Sequence, residues 1–137
     1  MKRHRKLIAV VIILGLLLTG WLLANPPGRF GWSCYAYTTY NALPRPLADL
    51  QIRSDGSTRK VKKTHQLSFS QIEWLLDPQP DVLIIGLGWD GVTEPDDQIR
   101  NYRDCEIHFL KNDEAIELFN RLKKEGKRVA IHYHSTC

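Results

Sequence analysis

Apolar residues in this chain occur as one long unbroken run, one short unbroken run, and several stretches with strict spacing. The long run is Leu7 to Ala24, free of charge and preceded by MKRHRK. Its length is at the short end of what crosses a bilayer as a helix. The short run is Val82 to Ile85, opened by Pro80-Asp81 and closed by Gly86. It predicts a strand buried on both faces, hence a parallel strand inside an α/β sheet.

The spaced stretches surround that strand. Leu50 to Ile52 and Thr58 to Lys62 flank Asp55-Gly56, a hairpin signal. Arg59, Lys60, Lys62 and Lys63 crowd the second arm and predict a sheet edge. Ser68 and Gln71 have capping-box spacing, with Leu67 and Ile72 as staple, and this helix ends at Asp77-Pro78. A short helical turn is expected around Gln98 to Tyr102, after an acidic loop. Cys105, Ile107 and Phe109 alternate with Glu106, His108 and Leu110 as a strand. Ala115, Leu118, Phe119 and Leu122 form one stripe of a helix expected to be capped by Asn112 and closed by Gly126. The final strand, Arg128 to His134, places Val129, Ile131 and Tyr133 on one face and Ala130, His132 and His134 on the other.

The order hairpin–α–β–α–β–α–β predicts an α/β fold, a small three-layer domain with a central mixed β-sheet, preceded by one transmembrane helix. Three segments result: the basic start and anchor at 1–24, a tether rich in proline and aromatics at 25–48, and the α/β domain at 49–137. The residues before a cut after Ala24 lack the small side chain a signal peptidase site needs, so the anchor is expected to stay. The basic start places the N-terminus in the cytoplasm and the domain outside it, on a single pass through the cell membrane.

Charge alters this picture little. Lys2, Arg3, Arg5 and Lys6 account for the net charge of +4, so no nucleic-acid partner is expected. Three cysteines without a CxxC pair do not make a disulfide framework. Cys105 and Cys137 would meet only if their strands are neighbours; buried free thiols are the default.

Two places invite chemistry. Gly86, Gly88 and Gly91 satisfy GxGxxG after a strand, but Val92-Thr93-Glu94-Pro95 follows where a dinucleotide site needs a helix, and the acidic loop would repel phosphate. Asp90, Glu94, Asp96 and Asp97 lack calcium-loop spacing and read as a solvated loop. His132 and His134 share a strand face, and Cys137 follows three residues on, offering three ligands of a zinc site with an open fourth position. The plainer alternative is a core histidine and a frayed cysteine. No catalytic residue is assigned.

The stretch VLIIGLG (Val82 to Gly88), the helix residues Glu114-Ala115 and Phe119 to Leu122, the run Glu125 to Val129 and the ending His134-Ser135-Thr136-Cys137 resemble the adipogenesis-associated protein family. Its superfamily includes the mitochondrial complex I assembly factor 3. The likeness covers about the last two-thirds of the chain. It implies a three-layer fold around a mixed sheet and brings no reaction; the membrane anchor is a departure from it. The function expected is a membrane-anchored protein-binding or assembly domain without cofactor, bound through Gly86, Gly88, Trp89, Asp90 and Gly91, with Trp89 exposed. The alternative is a small-ligand or zinc enzyme using that crevice with His132, His134 and Cys137.

Overall fold

The computed structural model describes residues 2–137, and side chains from His4 onward. Helix α1 (Lys2–Ala24) carries the long apolar run; its span His4–Ala24 has a mean hydropathy of 2.8 and stands exposed, long and apolar enough to cross a membrane.

Residues 25–48 are not a tether. They form a three-stranded antiparallel sheet, β1 (Phe30–Cys34), β2 (Tyr37–Tyr40) and β3 (Leu43–Pro46), in the order β1-β2-β3. A register shift between Phe30 and Ser33 and very short strands hide the period of two. Pro44 and Pro46 lie on β3, an edge strand, where a missing N–H breaks no ladder. Phe30 and Tyr40 turn inward and are buried. Asn120 completes the docking: its amide donates to Phe30 O and accepts from Phe30 N, both at 2.8 Å.

The main sheet follows. Strands β4 (Asp49–Ile52) and β5 (Thr58–Val61) make the expected hairpin, with Gly56 at φ 89° in its turn. The short strand β6 (Gln66–Leu67) leads into α2 (Phe69–Ile72), where Ser68 and Gln71 form the capping box, and a 3₁₀ turn continues it over Glu73–Leu76. Then come β7 (Val82–Gly86), β8 (Glu94–Pro95), α3 (Asp97–Arg100), β9 (Glu106–Leu110), α4 (Asn112–Lys124) and β10 (Val129–Tyr133). The five-stranded mixed sheet has the order β5-β4-β10-β7-β9, with the lysine-rich β5 at one edge. β7 is buried throughout and parallel to both neighbours, as its composition predicts, while β10 holds the centre. Asn112 is the first residue of α4, and Lys111 takes the cap position. The Asn112 side chain is instead turned to the sheet, donating to His134 O at 2.6 Å.

Each face of the sheet has its own core. On one, Leu50, Ile52, Ile84, Val129, Ile131 and Tyr133 pack under α4 through Ala115 and Phe119, and against Phe30 and Tyr40. On the other, Leu83, Ile85 and Ala130 pack under Ile72, Leu75 and Ile99. Asp49, Gln51, His132 and His134 are all buried polar residues of β4 and the β10 end. That row positions the site.

Candidate functional site

The crevice at the carboxyl end of β7 is filled by the chain itself. Gly88, at φ 92°, lies under residues 136–137, and a Cβ there would overlap Cys137 O. A Cβ on Gly86 would come 2.9 Å from His132 O. These two glycines therefore serve close backbone packing rather than phosphate binding. Trp89, expected to be exposed, is half-buried: its N–H donates to Thr136 O at 3.1 Å and its indole to Ser135 O at 3.2 Å. Asp90 is exposed, and Gly91, at φ 75°, turns against the Lys111 side chain. In the acidic loop Asp96 is structural, accepting from Ile99 N at 2.9 Å and Phe69 N at 2.8 Å.

Beside that crevice runs a polar row across β4 and β10. His132 stands opposite Gln51 in the antiparallel register, and two residues along, His134 meets Asp49. Arg59 Nε donates to Gln51 Oε1 at 2.9 Å, which fixes the amide. Gln51 Nε2 then donates to Gln71 O at 2.8 Å and faces His132 Nδ1 at 3.2 Å. His132 Nδ1 is thus the acceptor and its proton sits on Nε2, which has no protein partner among the described residues. Burial pushes the His132 pKa down to about 4, with the Asp49 carboxylate pulling weakly the other way, so the ring is neutral.

Asp49 is the organising group. Its carboxylate accepts from His134 Nδ1 at 2.6 Å, Ser135 N at 2.8 Å and Ser135 Oγ at 2.9 Å. Burial works to raise its pKa, and the hydrogen bonds from His134 and Ser135 overcome this and hold it below the usual carboxylate range. His134 therefore keeps its proton on Nδ1, and the lone pair of Nε2 faces outward. It faces a cleft of about 380 Å³ lined by Lys63, Thr64, His65, His134, Thr136 and Cys137.

There the structure brings together three of the groups that can ligate a metal: His65, His134 and Cys137, whose ligand atoms lie within 4.8 Å of one another. Cys137 Sγ is 3.2 Å from His65 Nε2, and the His65 and His134 rings meet edge-on at 5.3 Å. His132 belongs to the Gln51 network instead. The sequence pattern does not reveal His65, which lies in irregular chain before β6 and has no periodicity to mark it. Asp49 was also missed, although a signal existed: Asp49 and Gln51 alternate with Leu50 and Ile52, with the spacing of His132 and His134. Cys34, Cys105 and Cys137 are free thiols, and Cys105 packs into the second core away from Cys137.

Solved structures share this fold. MT938 is 27% identical, with a TM-score of 0.67 over 80% of this chain and 98% of its own. A conserved hypothetical protein from Pyrococcus horikoshii is 20% identical, with a TM-score of 0.69 over 80% and 99%. An outer membrane protein from Bartonella henselae is 18% identical, with a TM-score of 0.66 over 81% and 98%. No curated protein sequence matches. The model of a family of proteins of unknown function, DUF498/DUF598, matches residues 22–134, which begins within the last turn of α1 and includes the β1–β3 sheet. Fold and sequence agree, and the chain belongs to the DUF498/DUF598 family.

Proposed function

We propose that this chain is a single-pass, membrane-anchored protein-binding domain that acts in assembly or as a scaffold, with its N-terminus in the cytoplasm and its α/β domain outside. The observation that carries the reading is how α1 ends. Its last turn is built into the domain: Trp21 Nε1 donates to Ala42 O at 3.0 Å, and Asn25 N to Trp21 O at 2.8 Å. Asn25 is buried, and its side-chain oxygen accepts from Trp32 N and from the Thr39 hydroxyl. Cleavage after Ala24 would remove Trp21 and open this joint, which supports an anchor rather than a cleaved signal. A joint without slack also holds the domain at one height. Trp32 and Leu43, 64% and 53% exposed beside the helix exit, then lie at the interface, where aromatic side chains favour the headgroup region.

The partner face follows from what surrounds the filled crevice. Ala36 N donates to Ser135 O, and Leu47 N to Ala36 O, so the exposed Tyr35 and Leu47 flank the same residue that receives the Trp89 indole. Trp89, Asp90 and Gly91 thus lie at the surface near Tyr35 and Leu47, with the buried Gly86 and Gly88 supporting them from beneath, and the filled crevice favours a protein partner over a small ligand. The resemblance to a family related to a complex assembly factor points the same way by analogy. Tagged co-purification from native membranes tests it. A stoichiometric partner, weakened by Leu47→Ala or Trp89→Ala, is expected; no partner, or one indifferent to both changes, contradicts the reading. A second reading, a ligand-binding or zinc-dependent enzyme, is favoured by one observation: the Asp49–His134 pair aimed into its cleft.

A further inference from the structure

We infer that His65, His134 and Cys137 form a zinc site, with Asp49 orienting His134 from behind, independently of how the chain is anchored. Zinc takes imidazole nitrogen at about 2.0–2.1 Å and thiolate at about 2.3 Å in tetrahedral sites, which sets ligand atoms roughly 3.3–3.7 Å apart. The three atoms here lie within 4.8 Å of one another, so closing on an ion needs an adjustment of about 1 Å. The ring of exposed His65 and the side chain of Cys137 are free to make it.

His134 is the fixed point of the site. It is buried, and its Nδ1–H is held by the Asp49 carboxylate at 2.6 Å. That carboxylate–histidine arrangement is how proteins fix the tautomer and aim of a metal-bound imidazole. Among the described residues the free Nε2 receives only a long contact from the Thr136 hydroxyl, at 3.5 Å, so little must be broken to bind an ion. Asp49 itself is held by Ser135 N and Oγ, which makes the support rigid. Two nitrogens and one sulfur suit zinc among the common divalent ions, and calcium or magnesium would find too few oxygens. Three protein ligands leave a fourth position open toward the cleft, beside Thr136 and the exposed Lys63. His132 lies on the same strand face but is held by Gln51, so it is not a ligand.

The test uses the full chain in detergent with its thiols reduced, titrated first with Co²⁺ and then with Zn²⁺. One Co²⁺ per chain is expected, with thiolate-to-cobalt charge-transfer absorption that one equivalent of Zn²⁺ abolishes. Cys137→Ser removes that absorption, and both it and His65→Ala weaken zinc binding by at least tenfold. These substitutions touch no core residue, and unchanged circular dichroism verifies the fold. Asp49→Asn, with every ligand still present, weakens binding by about 10- to 100-fold. His132→Gln leaves stoichiometry and spectrum unchanged. Absence of charge-transfer absorption overturns the proposal, as does Cys137→Ser binding like the parent. A His132→Gln variant that folds but does not bind would reinstate His132 as a ligand and overturn the set of His65, His134 and Cys137.

Discussion

Phe30→Ala separates a folded β1–β3 sheet from a loose tether. The Phe30 side chain is 1% exposed, and its ring lies 5.2 Å from Tyr40, 5.3 Å from Phe119 and 5.4 Å from Tyr133. The bonds to Asn120 use the Phe30 backbone and survive the substitution, so the loss is one of packing. Emptying a site bounded by three aromatic rings on two elements and the main sheet costs about 3–5 kcal/mol. A domain of this size is stable by roughly 5–15 kcal/mol in total, so the effect is a large part of it. Urea unfolding of the full chain in detergent, followed by tryptophan fluorescence, reads the change as a lower midpoint at unchanged slope. Tyr35→Ala, at an exposed neighbour, is the control and should shift stability by less than about 0.5 kcal/mol. A Phe30→Ala cost below about 1 kcal/mol would refute the packing argument and restore the tether.

Other consequences can be checked alongside. Gly88→Ala forces a Cβ into Cys137 O at a positive φ, and should cost about 2–4 kcal/mol in the same unfolding assay while displacing residues 136–137; a neutral result would contradict the close approach. Asn25→Ala strips three hydrogen bonds from the joint between α1 and the β1–β3 sheet, costing about 1–3 kcal/mol and speeding protease cleavage near residue 25 relative to the parent chain. Burial, aided by Asp104, pushes the Cys105 thiol up to about 11, so it keeps its proton through neutral and mildly alkaline pH. Its alkylation rate should therefore keep rising to near pH 11, and a plateau near pH 9 would count against that environment.

The main sheet was legible because burial writes itself into spacing. Val82 to Ile85 is apolar on both faces since β7 has parallel neighbours on both sides and a core above and below. The stripe of α4 follows from packing against one face of the sheet, while the alternating faces of β10 feed the two cores, Val129, Ile131 and Tyr133 into one and Ala130 into the other. Residues 25–48 were not legible, because strands of four or five residues with a register shift and an edge strand containing two prolines leave too short a pattern to count. Their burial is also nonlocal: Phe30 is held by Asn120, ninety positions away. The site was half legible. Of the three groups in the proposed zinc site, His134 and Cys137 stand out in the sequence as candidate ligands, and the polar alternation of Asp49 and Gln51 could have been matched to His132 and His134. His65 could not, since only the fold brings its loop to the β10 end. Trp89 was misjudged for the same reason: residues 135–137 return across the carboxyl end of β7 and cover it.

The proposed role depends above all on α1 staying joined to the domain and holding it at a membrane. Intact mass of the chain recovered from alkali-washed membranes of cells expressing it reads this without intermediaries. A chain that resists extraction and retains residues 1–24 is expected, because Trp21 and Asn25 tie the helix end to the β1–β3 sheet. A soluble form beginning at Asn25 would contradict it.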